Sequence, residues 1–107
     1  MPADVGSVLR RFTGGETITV ARITFAAESS LPGHRHINEQ FTIVLEGALE
    51  FFDEAGNKTL VQAGEIMHLP SNIWHRAKSV SETTVIDIFS PVRSDWGVSP
   101  EPVLSGE

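Results

Sequence analysis

Short segments rich in β-branched and aromatic residues recur roughly every eight to twelve positions in this chain, each closed off by turn formers. No stretch of ten or more residues carries a helical period, so the rhythm predicts an all-β sandwich or barrel. The expected strands are Val8–Phe12, Thr17–Phe25, Pro32–His36, Gln40–Glu46, Ala48–Asp53, Lys58–Val61, Glu65–Leu69, Trp74–Lys78 and Thr83–Phe89. Gly14-Gly15, Glu28-Ser29-Ser30, Gly47, the Asp53–Asn57 turn, Ala63-Gly64 and Pro70-Ser71-Asn72 punctuate them. With 107 residues, no internal repeat and no linker, the expectation is one domain over 1–107, its barrel over about 8–93. A tail over 94–107, carrying Pro100 and Pro102, is expected to be frayed or strapped along the barrel.

Two strands carry apolar residues on both faces. Gln40, Thr42 and Val44 alternate with Phe41, Ile43 and Leu45, and Val85, Asp87 and Phe89 alternate with Ile86 and Ile88. A small barrel covers only its inner face, so the outer one calls for a second layer, and a homodimer is expected.

Composition removes several functions. There is no cysteine, which excludes disulfides, thiolate zinc sites and a cysteine nucleophile. The net charge of −6 and the lack of any Lys/Arg cluster beyond Arg10-Arg11 disfavour nucleic acid. A small anion stays compatible, because one well-placed arginine holds a carboxylate with two hydrogen bonds. Apolar runs fall far short of the roughly 20 residues that span a bilayer, so no membrane partner is expected. The start MPADVGSVLRRF lacks the pattern of a secretory signal, and a cytoplasmic location is expected.

The histidines carry the chemistry. His34 and His36 are two apart on a segment read as extended, so both point to one face, and His75 would approach from another strand. Gln40 shares that parity and is the expected fourth ligand of a divalent metal. A bulge between Ile37 and Glu39 would instead turn Glu39 inward. Imidazole-rich sites suit zinc, nickel, iron or copper, and sometimes manganese. His68 alternates with the core-like Met67 and Leu69 and should lie on the surface or in an interface. Trp74 should face away from the ligands and pack in an interface, and Arg22 is a candidate to enter the cavity.

The stretch PGHRHINEQFTIVLEG (Pro32–Gly47) resembles the first cupin motif, with His34, His36, Gln40 and Gly47 on its positions and Gln where Glu is more usual. GEIMHLPSNIWH (Gly64–His75) resembles the second, with Gly64, Pro70 and His75 matching and Asn72 in place of a common glycine. The resemblance runs from Val8 to Arg93. It implies a double-stranded β-helix, or jelly-roll barrel, holding one metal through His34, His36, Gln40 and His75. VIDIFSPVRSDW (Val85–Trp96) resembles the last strand and tail of the small cupins of pectin and alginate breakdown, which open the ring of 4,5-unsaturated uronates. That likeness implies functional roles for Asp87, Phe89 and Arg93.

Each residue also has a plainer reading. Asp87, inward on the final strand, serves either as proton donor and acceptor or as a partner that orients a histidine ring. Phe89 is a pocket wall or a packed core residue. Arg93, past Pro91, clamps a substrate carboxylate or pairs with Asp95 or Glu101. Three functions follow: a metal-dependent enzyme acting on a small sugar acid, a cupin dioxygenase, or a non-catalytic binding module.

Overall fold

Thr19, Ala21, Ile23 and Phe25 are buried while Val20 and Arg22 point outward, the alternation that a strand with one covered face must show. The same logic builds nine strands in the computed structural model, which describes residues 7–97 and 101–102. They are β1 (Val8–Gly14), β2 (Thr19–Phe25), β3 (Ser30–His34), β4 (Glu39–Glu46), β5 (Ala48–Phe52), β6 (Lys58–Gln62), β7 (Ile66–Leu69), β8 (His75–Ser79) and β9 (Thr83–Ser90). All nine expected strands are present with ends shifted by one or two residues. A single 3₁₀ turn over Ser94–Trp96 follows, and no helix among the described residues is long and apolar enough to cross a membrane.

The strands form two antiparallel sheets, ordered β1-β2-β9-β4-β7 and β3-β8-β5-β6. This is the jelly-roll arrangement. The inner faces meet in a core of Ile23, Phe25, Val44, Leu49, Phe51, Val61 and Val85. Stepping along the paired strands β4 and β9, the inner face changes character. Val44 lies across from Val85, then Thr42 from Asp87, then Gln40 from Phe89. Buried apolar packing at one end thus gives way to buried polar groups at the other. The polar end is where a site can be built.

Two irregularities shape that end. Between Leu31 and His34 the β3–β8 register slips, so that Leu31 still faces Ala77 but His34, rather than Gly33, faces His75. A bulge of this kind re-aims side chains. Beyond it the chain leaves the sheet: the extended segment expected to run through His36 ends at His34. The following loop is held from outside, by Asn72 N–H donating to the His36 carbonyl (2.8 Å), Ser71 Oγ to the Ile37 carbonyl (2.6 Å), and Asn38 Nδ2 to the carbonyls of Pro91 (2.5 Å) and Val92 (3.1 Å). Asn72 adopts a left-handed backbone (φ 62°), the conformation for which its side chain suits it.

Gly47 turns β4 into β5 with φ 81°. A Cβ there would overlap the Glu82 carbonyl oxygen and the Thr83 hydroxyl, which ties Ala48 N–H and the Ser81 carbonyl together. Both backbone sign and space therefore demand glycine. Gly47→Ala should destabilise the protein by about 3 kcal/mol, combining left-handed strain with overpacking. Urea unfolding at unchanged m-value would register this as a lower midpoint; an unaltered midpoint would contradict it.

Candidate metal centre and cavity

The bulge in β3 and the start of β8 bring three imidazoles together. Ring centroids of His34 and His75 lie 4.5 Å apart, those of His36 and His75 5.1 Å, and those of His34 and His36 5.2 Å. One ligand atom from each falls within 4.8 Å of the others, so the group could hold a metal ion. The backbone decides which nitrogen is offered. Nδ1 of His34 lies 3.0 Å from the Pro32 carbonyl, Nδ1 of His36 2.9 Å from that of Asn38, and Nδ1 of His75 3.0 Å from that of Ile73. A carbonyl only accepts, so each Nδ1 carries the proton and each Nε2 keeps its lone pair. Burial drives the pKa of His75 down to about 4, against the opposing bond to Ile73, and burial lowers that of His36 too. Both are therefore neutral near pH 7, the form a metal requires.

Gln40 enters the same space. It is buried, and its Oε1 lies 3.2 Å from His36 Nε2. Its Nε2 donates to Thr42 Oγ1 (2.9 Å), and that hydroxyl donates to Asp87 Oδ1 (2.6 Å). The chain of bonds fixes the amide with its oxygen toward the imidazoles. Two lone-pair atoms, His36 Nε2 and Gln40 Oε1, then face each other with no proton to share. Such a contact is unfavourable on its own and becomes favourable around a cation, so this donor set fits a divalent ion. Glu39 turns the other way: it is exposed and takes His68 Nε2 at 2.7 Å, while His68 stacks on Phe41 at 4.6 Å. No bulge intervenes between Ile37 and Glu39 to reverse that parity.

A cavity opens beside the cluster, bounded by His34, Gln40, Thr42, His75, Asp87 and Phe89, with Arg10, Arg93 and Trp96 at its rim. Asp87 is buried on the cavity wall. Burial pushes its pKa up to about 6, while hydrogen bonds from Thr42 and Gln40 and the charge of Arg93 hold it from rising further. Phe89 is buried as well, with its ring 5.8 Å from that of His36. It walls the cavity and packs in the core at once. Of the alternatives for Arg93, the ion pair with Asp95 is present. Its guanidinium borders the cavity, stacked near Phe89 (4.8 Å) and Trp96 (4.5 Å), and forms a two-pronged pair with Asp95 (3.0 and 2.8 Å). Glu101 pairs with Arg11 instead.

One expectation changes and two are made specific. Arg22 does not enter the cavity: it lies on the outer face of β2, in register with Arg11 and Ile86, because Ala21 and Ile23 take the inner positions. Trp74 packs within the chain, its indole lying over the backbone of Gly33, where a Cβ would collide with the ring. The tail is strapped where it is described: Trp96 meets Phe12 (5.3 Å) and Phe89 (5.1 Å) edge-on, and Glu101 is held by Arg11; 98–100 and 103–107 lie outside the described residues. Arg10 and Trp96 were not anticipated at the cavity. The available signal was parity, since Val8, Arg10 and Phe12 share a face of β1 with two apolar neighbours flanking the charge.

A jelly-roll barrel with a histidine cluster inside its polar end defines a class. The chain belongs to the cupin family, the Cupin domain model matching residues 21–89. Among solved structures it is similar to an RmlC-like cupin from Shewanella frigidimarina (24% identity, 89% of this chain and 86% of that one, TM-score 0.78). It is also similar to KdgF from Halomonas sp. (24% identity, 90% and 91%, TM-score 0.77). A cupin superfamily protein from Desulfitobacterium hafniense is similar at 13% identity (85% and 84%, TM-score 0.75). No match was found among curated proteins. At these identities the structural likenesses carry the fold.

The pKa shifts of His75 and Asp87 work against each other in folding. His75 binds its proton later in the folded chain than its ordinary 6.5, so acidification from about pH 6.5 to 4 favours unfolding. Asp87 binds its proton earlier than the ordinary 3.8, so acidification from about pH 6 to 3.8 favours folding. Asp87→Asn removes only the second effect. In metal-free protein the variant should therefore lose about 2 kcal/mol relative to wild type between pH 7 and pH 4. Melting curves of both proteins across that range check this; a variant that gained on wild type as pH fell would contradict it.

Proposed function

We propose that this protein is a metal-dependent cupin enzyme that opens the ring of a 4,5-unsaturated uronate. The observation that carries the reading is the pairing of two features across one small cavity. On one side, three tautomer-locked imidazoles offer lone pairs beside Gln40 Oε1. On the other, a buried carboxyl with a pKa of about 6 lies near an arginine. The resemblance of Val85–Trp96 to the uronate ring-opening cupins supports the choice of substrate.

His34, His36, His75 and Gln40 would hold the ion. When bound, a divalent metal supplies a Lewis acid for a substrate oxygen, and because ring opening changes no oxidation state, zinc or nickel would serve. Arg93 takes the substrate carboxylate on its fork, exchanging Asp95 for it. Asp87 in its ionised form removes the proton from the anomeric hydroxyl. The C1–O5 bond then breaks as the C1 carbonyl forms, leaving an enolate at C5. Asp87 returns the proton to C4, and the enolate becomes a ketone. Reactant and product are isomers, so no further reagent is consumed. A carboxyl with a pKa close to neutrality can perform both transfers, which a surface aspartate does poorly. Phe89 and Trp96 limit water at the rim.

Metal-loaded protein incubated with 4,5-unsaturated galacturonate should accelerate loss of the ring-alkene ultraviolet absorbance. Rates equal to buffer would remove this reading and favour a binding module. Oxygen uptake on the same substrate would point to a dioxygenase. Arg93→Ala should raise KM about tenfold to a hundredfold, the worth of a lost charge-assisted pair, with bound metal unchanged. Metal lost in parallel would make Arg93 a structural residue.

We further propose a homodimer through the outer face of the five-stranded sheet. Phe41 and Ile66 are exposed there, Ile43 pairs with Ile66, and Ile86 and Ile88 continue the apolar face on β9 in register with Ile43 and Phe41. Arg11 and Arg22 lie toward one edge of that face and Glu39 toward the other, so a two-fold axis would match opposite charges. Sedimentation should find a dimer in wild type and a monomer in Phe41→Lys; a monomeric wild type would exclude it.

A further inference from the structure

Arg10 has no part in the reaction above, yet it occupies the inner face of β1 opposite Ile23. Its guanidinium carbon lies 3.9 Å from the centre of the Trp96 ring and 5.3 Å from that of Phe12. Arg93 approaches the same Trp96 ring at 4.5 Å, and both arginines border the cavity that contains Gln40 and Asp87. Burial and the positive charge of Arg93 lower the pKa of Arg10, with Asp95 opposing. Asp95 is already engaged, giving both carboxylate oxygens to Arg93. Among the described residues no carboxylate forms an ion pair with Arg10.

Two guanidinium groups therefore border one aromatic-walled cavity with a single carboxylate beside them, engaged by Arg93 alone, in a chain whose overall charge is −6. Partial burial of a cation beside a like charge is costly without compensation. The stacked indole offsets some of that cost through its ring face. A carboxylate placed between the two arginines would offset the rest. Asp95 has a side chain 62% exposed against 11% for Arg93, so it is free to turn into water when a ligand carboxylate arrives.

We propose that Arg10 and Arg93 together form an anion subsite at the cavity mouth, seated on Trp96, and that Arg10 is a specificity residue selecting a sugar acid over the corresponding neutral sugar. The sugar-acid identity rests on the ring-opening reading; the anion subsite does not. Arg93 supplies the fork that orients the carboxylate. Arg10 supplies charge from β1, holding the ligand while Asp95 is displaced.

The test compares wild type, Arg10→Gln and Arg10→Lys, each metal-loaded, for binding of galacturonate and of galactose by calorimetry, and for KM with the unsaturated uronate. Arg10→Gln should weaken galacturonate about tenfold and raise KM similarly, with kcat within twofold, while leaving galactose and metal content unchanged. Arg10→Lys, which keeps the charge, should recover most of the loss. If Arg10 only props Trp96, the glutamine variant would affect acid and neutral sugar alike and lysine would not rescue it; that pattern overturns the proposal. So do galacturonate binding and KM both unchanged in Arg10→Gln. Arg10-dependent binding without turnover would remove the ring-opening reading and leave the subsite standing, whereas turnover indifferent to Arg10 would do the reverse.

Discussion

Three hydrogen bonds from imidazole Nδ1 to carbonyls only two residues away set the character of this protein's interior. Because each is local, His34, His36 and His75 have their ring orientation and tautomer fixed by their own backbone. The barrel then has only to bring three short stretches of main chain together. Loop 35–38, tied by Ser71, Asn72 and the Asn38 side chain, and the slipped register of β3 do that. Lone pairs are thereby aimed inward, at one another and at Gln40 Oε1. Such an arrangement is hard to justify in an apo barrel and natural around a cation.

The inner face of β4 and β9 shows how the fold supports that cost. Val44 and Val85 are fully buried at one end, where Phe25 and Leu49 complete a dry core. Two residues along each strand the same face holds Thr42 and Asp87, and two further Gln40 and Phe89. Each polar atom in this run is used by the next. Gln40 donates to Thr42, which donates to Asp87. One strand pair therefore anchors the hydrophobic core and supplies the chemistry, and the opposed pKa shifts of His75 and Asp87 follow from sharing that water-poor end.

Period-two patterning made much of this readable from the residues alone. It placed all nine strands, sent Gln40 inward and Glu39 outward, and buried Asp87 while leaving His68 on the surface. What it could not provide is anything decided by a partner strand. The slip between Leu31 and His34 exists because β8 presents His75 opposite, and Gly33 accommodates it only because Trp74 fills the space a side chain would need. Arg22 was misassigned for a simpler reason. Its own neighbours Ala21 and Ile23 already claimed the inner face, and parity applied to β2 would have put it outside. Applied to β1, the same rule would have drawn Arg10 inward. Trp96 carried no such signal, since its position depends on Phe12 and Phe89, distant in sequence.

The observed pairing of Arg93 with Asp95 is compatible with the proposed clamp. A bare guanidinium at the cavity rim would lose hydration with nothing in return, and would sample many rotamers. Stacking on Phe89 and Trp96 fixes the plane of the fork, and Asp95 fills its two donor positions. The backbone N–H of Arg93 is also pinned, at 2.9 Å from Thr19 Oγ1. On the proposed role, an arriving carboxylate would meet a fork already oriented, and the exchange would replace one charge-assisted pair by another. Because Asp95 sits largely in water, its release would cost little, and most of the interaction with the incoming anion would be retained as binding. Under that proposal the intramolecular ion pair at the site's edge prepares the site for an anionic ligand.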